Sequence, residues 1–146
     1  MEKVKFYKLS ERQRNRLLSL IKNELFEDPN VIFAYVFGSF IDKELKRFKD
    51  IDIALYLEDK FPRENFLDYS LQLAVELESE IKKYPIDIVI LNDAPLSLSF
   101  QATQGILLFC KDENLWIDFV TKVWSLYQDY EITSRTVLAD MLEKHD

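Results

Sequence analysis

Two short apolar runs, one ending at a Gly-Ser pair and the other beginning at a pair of aspartates, constrain the fold of this chain more than any other feature. Residues 31–37 (VIFAYVF) stop at Gly38-Ser39, and ten residues separate Ser39 from the second run, residues 50–57 (DIDIALYL). Both runs are short and rich in β-branched or aromatic residues, which predicts two buried β-strands.

The second predicted strand carries Asp50 and Asp52 on the same face, because side chains two positions apart in a strand point the same way. Two like charges roughly 7 Å apart repel each other. A Mg²⁺ ion relieves this repulsion, since it binds one or two carboxylates together with water and phosphate oxygens. Gly38 lets a phosphate approach the backbone, and the Ser39 hydroxyl can bond to it. These groups meet only if the two strands are antiparallel.

Each half of this pattern also has a plain structural interpretation. A Gly-Ser pair alone is a turn signal, and an Asp-x-Asp at a strand edge is most often a solvated face. Their order between two hydrophobic strands favours a functional site. A third apolar run, residues 86–91, contains Asp87 as its only charge, which is expensive to bury without a partner. If this strand packs beside the second, Asp87 reaches the same metal. Asp93 is a poorer candidate because it lies in a predicted turn.

The spacing of Gly38-Ser39 and Asp50-x-Asp52 resembles the signature of the DNA polymerase β-type nucleotidyltransferase superfamily. The short chain resembles the minimal nucleotidyltransferases, the antitoxin half of HEPN/MNT toxin-antitoxin pairs. The resemblance covers residues 31–91 by motif. It implies that Asp50, Asp52 and Asp87 are catalytic and hold two Mg²⁺ ions, and that Ser39 contacts the nucleotide triphosphate beside Gly38.

The same resemblance implies a function and a partner. AMP would be transferred from ATP to a tyrosine hydroxyl of a HEPN ribonuclease toxin, which silences the toxin. The chain departs from the family pattern after Ser39, where it has Ile41-Asp42-Lys43 in place of a small-Arg-Gly segment, and at Lys49, where relatives carry Ser or Thr. These departures leave open an antitoxin that neutralises its partner by binding alone. Nucleotide transfer to an antibiotic or an RNA end would need a substrate domain or basic surface that the sequence lacks.

Basic residues are concentrated between the two motifs. Lys43, Lys46, Arg47 and Lys49 account for four of the nineteen Lys and Arg residues of the chain. The cluster indicates either a pocket for the triphosphate or a solvated loop face. Both interpretations stay open. Lys46, Arg47 and Lys49 are the candidates for nucleotide binding, and Lys49 is the one that we assign to the site.

Composition limits the other possibilities. The 146 residues predict a single domain over positions 1–146, and the net charge of −7 disfavours long nucleic acids as substrates. Cys110 is the only cysteine and His145 the only histidine. Zinc sites of the His/Cys type and Ser-His-Asp triads are therefore not expected. No signal peptide or membrane-spanning run is visible, which predicts a soluble cytoplasmic protein.

Periodicity and capping signals give the remaining elements. The predicted fold is α/β (α+β), with a mixed sheet of about four strands flanked by helices and a helical C-terminal part over residues 112–146. The predicted elements are a helix capped by Ser10 and Gln13, a helix from Phe61-Pro62 to Lys82-Lys83, a helix over residues 95–104, a strand over residues 106–110, a helix capped by Asp112, and a separate terminal helix from Thr133 or Ser134 to Leu142.

Overall fold

The computed structural model describes residues 4–42 and 47–143, which contain four α-helices and four strands. The elements are α1 (Glu11–Phe26), β1 (Val31–Phe37), β2 (Ile51–Leu57), α2 (Phe66–Ile81), β3 (Ile86–Ile90), α3 (Leu96–Thr103), β4 (Ile106–Cys110) and α4 (Glu113–Glu143).

The four strands form one mixed sheet in the order β3-β2-β1-β4. β1 is antiparallel to both β2 and β4, whereas β2 and β3 are parallel. The parallel pair is possible because α2 returns the chain to the starting end of the sheet. The predicted fold class is therefore confirmed, and so is the antiparallel arrangement of the first two strands.

Each face of the sheet is covered by two helices. The residues Ile51, Ile53, Leu55 and Leu57 of β2 belong to a core cluster with residues of α1 and α2. The other face carries Ala54 in a cluster with aromatic residues of β1 and is covered by α3 and α4. This division confirms the alternation predicted for β2, and it places Asp52 on the α3–α4 side.

Capping at the start of two helices follows the sequence. In α1 the Ser10 hydroxyl accepts a hydrogen bond from the backbone N–H of Gln13, whose side chain accepts one from the backbone N–H of Ser10. The Asp112 carboxylate accepts a hydrogen bond from the Leu115 N–H at the start of α4. These bonds satisfy amide groups that have no partner within the helix.

The start of α2 differs from its prediction. The α-helix begins at Phe66, and Arg63–Asn65 form a 3₁₀ turn after Pro62. This tighter turn brings the Phe61 ring to 5.9 Å from the Phe66 ring in a stacked arrangement. Aromatic packing at the entrance thus accounts for the later start of the regular helix.

The prediction of a separate terminal helix from Thr133 or Ser134 is wrong, because α4 is continuous over 31 residues. The segment contains no Gly or Pro, and the Thr136 hydroxyl donates to the Ile132 carbonyl within the helix. A 2.7 Å ion pair between Arg135 and Glu131 spans the same turn. Hydroxyl residues that resemble caps are therefore accommodated inside the helix. No helix among the described residues has the length and apolarity required to span a membrane.

Candidate active site

Three neighbouring strands bring the sequence-predicted residues together at one end of the sheet. Phe37 is the register partner of Asp52 on β2, and Asp52 is in turn the register partner of Asp87 on β3. Because adjacent strands lie about 4.8 Å apart, the two aspartates are next to each other. Gly38 follows Phe37 directly, so the predicted turn lies beside Asp52, and Asp87 lies one strand further away.

Gly38 is required by its backbone and by its neighbour. Its φ angle of +82° lies in the left-handed region that favours glycine. A Cβ atom at this position would overlap the Oδ2 oxygen of Asp52. The chain therefore passes against the carboxylate with no room for a side chain.

The Gly-Ser turn is held in place by hydrogen bonds and by a buried aromatic residue. The Ile41 N–H donates to the Gly38 carbonyl and the Asp42 N–H donates to the Ser39 carbonyl, each at 3.3 Å. Phe40 is fully buried in the core beneath the turn. Ser39 itself is half-buried. The turn is thus anchored from below while Ser39 retains contact with solvent.

The surroundings of Asp52 disfavour its negative charge. Burial, followed by the nearby charges of Asp50 and then Asp87, raises the pKa of Asp52 from 3.8 to about 6, and Lys49 opposes this effect. Asp50 and Asp52 are half-buried, whereas Asp87 is exposed. Three carboxylates that repel one another in a partly desolvated place form an arrangement that a cation would stabilise.

The donor set fits Mg²⁺ rather than a metal that needs a complete protein cage. Among residues 4–42 and 47–143 no group of three or more His, Cys, Asp or Glu side chains is arranged to hold a metal by itself. Mg²⁺ usually takes one or two carboxylates and completes its coordination with water and substrate phosphates. The half-buried Asp50 and Asp52 can supply that partial set, and Asp87 lies beside them.

Two of the four basic residues between the motifs, Arg47 and Lys49, lie in the described part of the chain. Lys49 is exposed and near enough to Asp52 to lower its pKa, in opposition to the larger effect of burial and the two aspartates. The Arg47 guanidinium lies 5.2 Å from the centroid of the Phe6 ring, in a cation–π contact. Lys43 and Lys46 lie outside the described residues.

A cavity of about 410 Å³ adjoins the Gly-Ser turn. Its walls include Gly38, Asp42 and the side chains of Gln101 and Gln104 from the end of α3. Gly105 closes the α3 end, where a Cβ atom would overlap the Val36 carbonyl oxygen. Neither glutamine was predicted from the sequence to lie at the site. Their spacing of three residues places them on one side of α3, but only the packing of α3 on β1 brings them to the site.

The remaining candidates lie elsewhere. Asp93 is exposed in a 3₁₀ turn that follows β3, whereas Asp87 lies at the start of β3. Burial raises the pKa of the Cys110 thiol, which keeps it protonated and unsuited to act as a nucleophile. A second cavity, of about 370 Å³, lies between α3 and α4 near Tyr56, towards the opposite end of β2.

The chain is similar in sequence to known proteins. The sequence model of the family described as "Polymerase beta, Nucleotidyltransferase" matches residues 20–114. The protein adenylyltransferase MntA of Shewanella oneidensis is 26% identical over 137 residues, which cover 92% of this chain and 91% of that protein.

Solved structures also contain chains that are similar to this one. One is a tri-AMPylated Shewanella oneidensis HEPN toxin in complex with its MNT antitoxin; a chain of it matches with a TM-score of 0.64 and 25% identity, covering 88% of this chain and 98% of that one. Another is a toxin-antitoxin complex with AMP-PNP, whose matching chain has a TM-score of 0.62, 26% identity and the same two coverages of 88% and 98%.

Proposed function

Because the chain belongs to the polymerase β nucleotidyltransferase family, we propose that it transfers AMP from ATP to a tyrosine hydroxyl of a partner HEPN ribonuclease toxin and so acts as an antitoxin. The superfamily predicted from the Gly-Ser and Asp-x-Asp spacing is confirmed by this membership. The reaction, the acceptor and the partner are inferred from the site together with the relatives.

The observation that carries the proposal is the position of Asp52, which adjoins Gly38 on one side and is the register partner of Asp87 on the other. Carboxylates next to a phosphate-accepting turn are the chemistry that nucleotidyl transfer needs. The relatives supply the acceptor class, since one is a protein adenylyltransferase and another was solved with an AMPylated HEPN toxin.

In this proposal each residue has a distinct role. Asp50 and Asp52 would hold Mg²⁺, and Asp87 would add a third carboxylate once water and substrate phosphates complete the coordination. When bound, two Mg²⁺ ions neutralise charge on the attacking and leaving oxygens. Ser39 and the neighbouring backbone bind the β and γ phosphates, and exposed Lys49 adds positive charge nearby. The cavity of about 410 Å³ beside Gly38 is within the size range of small-molecule sites and gives the nucleotide a place to bind.

The transfer itself is an in-line displacement. A bond forms between the acceptor oxygen and the α-phosphorus while the bond from that phosphorus to the β-phosphate bridging oxygen breaks, and pyrophosphate leaves. By the family resemblance, Asp87 is the carboxylate that would assist removal of the proton from the incoming hydroxyl, and its exposure to solvent leaves room for an acceptor. Positioning and charge stabilisation supply most of the rate in reactions of this type.

The test is label transfer from ATP labelled at the α-phosphate. The full chain is incubated with Mg²⁺, labelled ATP and its proposed partner, the product of the adjacent reading frame. We expect label on the partner, and a loss of at least about 100-fold in rate for Asp52→Asn and for Asp87→Asn because each removes a metal ligand. The matched control is Asp93→Asn, which changes an exposed carboxylate beyond the site and should leave the rate unchanged.

Two results would contradict the proposal. Equal rates of AMP transfer in wild type and Asp52→Asn would show that the carboxylates do not take part in the reaction. A stable complex that neutralises the partner with no label transferred, in the presence of Mg²⁺ and ATP, would establish the alternative, an antitoxin that acts by binding alone.

A further inference from the structure

The second half of α4 has no contact partner that covers it in the described part of the chain. Every residue from 128 to 143 is exposed, although six of them are large and apolar. Their exposed fractions run from 52% to 64%, and they are Tyr130, Ile132, Val137, Leu138, Met141 and Leu142. A helical segment of this length is only marginally stable in water without packing. Something other than this domain is therefore expected to cover it.

The exposed apolar residues continue a face that is packed in the first half of the helix. Val123 is buried, and the Tyr127 ring stacks on Phe100 of α3 at 3.7 Å. At 3.6 residues per turn, four of the later apolar residues point within roughly 100° of one another around the helix axis, on the side of α4 that also carries Val123. This group, which we name the α4 stripe, consists of Tyr130, Val137, Leu138 and Met141.

The α4 stripe projects from the end of the sheet that carries the candidate active site. α4 begins after Cys110, whose register partner is Phe33, at the other end of β1. Further along, the Trp124 indole N–H donates to the Thr103 hydroxyl at 3.0 Å. Thr103 is two residues from Gly105, which contacts Phe37 beside the Gly-Ser turn. The helix thus runs towards the active-site end, and its exposed half continues about 28 Å past Trp124 at 1.5 Å per residue.

The charge of this segment identifies the kind of surface that fits it. Residues 128–143 contain four acidic residues and one basic residue, a net charge of −3. Asp129 and Asp140 flank one edge of the α4 stripe, and Glu131 flanks the other, where it pairs with Arg135. A second copy of this chain would bring the same negative charge to the contact. A partner with Lys and Arg beside an apolar face would instead be attracted.

We propose that the α4 stripe is the docking surface for the protein that carries the acceptor hydroxyl, and that it receives an apolar helix face of that protein flanked by Lys and Arg. The identity of this protein as the toxin rests on the proposed function. A ribonuclease must present positive charge to bind RNA phosphates, which agrees with the acidic edges of the α4 stripe. Docking there would hold the partner at the end of the sheet where the carboxylates lie.

The experiment measures binding separately from transfer. The full chain and its proposed partner, the product of the adjacent reading frame, are purified, and their affinity is measured by calorimetry without ATP. We expect Val137→Ser/Met141→Ser to weaken binding by at least about tenfold, as truncation at the centre of an interface does. The matched control is Leu71→Ser/Val75→Ser, which changes two apolar residues of α2 with similar exposed fractions of 58% and 65%.

A second pair of substitutions tests the charge argument. Asp129→Lys/Asp140→Lys keeps the apolar residues and reverses two flanking charges. We expect binding to weaken by about tenfold at low salt, with a smaller difference from wild type at high salt because ions screen the repulsion. Unfolding midpoints equal to that of wild type establish that both α4 variants remain folded, since all four positions are exposed.

The outcomes separate this inference from the proposed function. Unchanged affinity in both α4 variants would overturn the docking surface even if AMP transfer occurs. Failure of the wild-type chain to bind the adjacent protein, or a self-dimer that Val137→Ser/Met141→Ser abolishes, would overturn it as well. Loss of binding in the α4 variants without AMP transfer by the wild type would support the docking surface and reject the enzymatic proposal.

Discussion

Replacement of Asp52 by asparagine should make the metal-free protein more stable. Burial and two neighbouring carboxylates raise the pKa of Asp52 from 3.8 to about 6, so at pH 7.5 the folded protein carries an ionised group in an environment that disfavours its charge. The full difference corresponds to about 3 kcal/mol at roughly 1.4 kcal/mol per pH unit. Because Asp52 is only half-buried and solvent screens its charge, we expect Asp52→Asn to gain about 1 to 2 kcal/mol.

The pH dependence of this gain has a definite sign. The pKa is higher in the folded state than in the unfolded chain, so the penalty is absent at pH values below about 4 and complete above about 6. Urea unfolding of wild type and Asp52→Asn with a chelator should therefore give a difference in unfolding free energy that is largest at pH 7.5 and small at pH 4.5. Comparing the two proteins at each pH cancels the titration of the other carboxylates. The control is Asp93→Asn, an exposed residue whose replacement should change little.

Ligand should reverse the order of stability. In the proposed mechanism Mg²⁺ and ATP bind the folded wild type through the carboxylates, and a ligand at 100 times its dissociation constant stabilises the folded state by about 2.7 kcal/mol. Asp52→Asn should gain much less from the same addition. Two results would contradict this reasoning. One is that Asp52→Asn is less stable than wild type in chelator at pH 7.5, and the other is that the difference in unfolding free energy is the same at both pH values. Either would mean that repulsion among the carboxylates does not destabilise the folded protein.

Three further substitutions test individual contacts. Gly38→Ala should lower the unfolding free energy by about 1 to 3 kcal/mol and AMP transfer by more than tenfold, because alanine strains the left-handed backbone and overlaps Asp52; transfer within twofold of wild type would contradict this. Ser10→Ala should cost about 1 kcal/mol in urea unfolding, since it removes the cap of α1. Asn92→Ala should cost about 1 to 3 kcal/mol, because Asn92 bonds both the N–H and the carbonyl of Leu57; an unchanged midpoint would exclude that role.

The parts of the fold that depend on local pattern were predictable. The alternation in residues 50–57 defined both faces of β2, and the Gly-Ser turn required β1 to run antiparallel to it. A position for Asp87 beside the second strand was predicted because a charge within an apolar strand is costly to bury without a partner. Asp87 is the register partner of Asp52, which agrees with that prediction. Its role as a metal ligand stays a prediction.

The parts that depend on tertiary packing were not predictable. Thr133 and Ser134 have the residue types of helix caps, yet α4 continues through them because no tertiary contact or helix breaker ends it. Gln101 and Gln104 reach the cavity beside Gly38 only through the packing of α3 on β1. No period or motif marks such residues, since the contact joins elements distant in sequence.

The position of the α4 stripe bears on how such a small chain would select its acceptor. The carboxylate site lies at one end of the sheet, where Asp87 is exposed. By itself it offers little that would distinguish one hydroxyl from another. A partner bound along residues 128–143 would turn transfer into a reaction within a complex, where the effective concentration of the acceptor is set by geometry. Val137→Ser/Met141→Ser should then raise the KM for the partner while kcat at saturation stays near wild type, because the carboxylates are unchanged. A fall in kcat with no change in KM would place the α4 stripe in the chemistry instead of in docking.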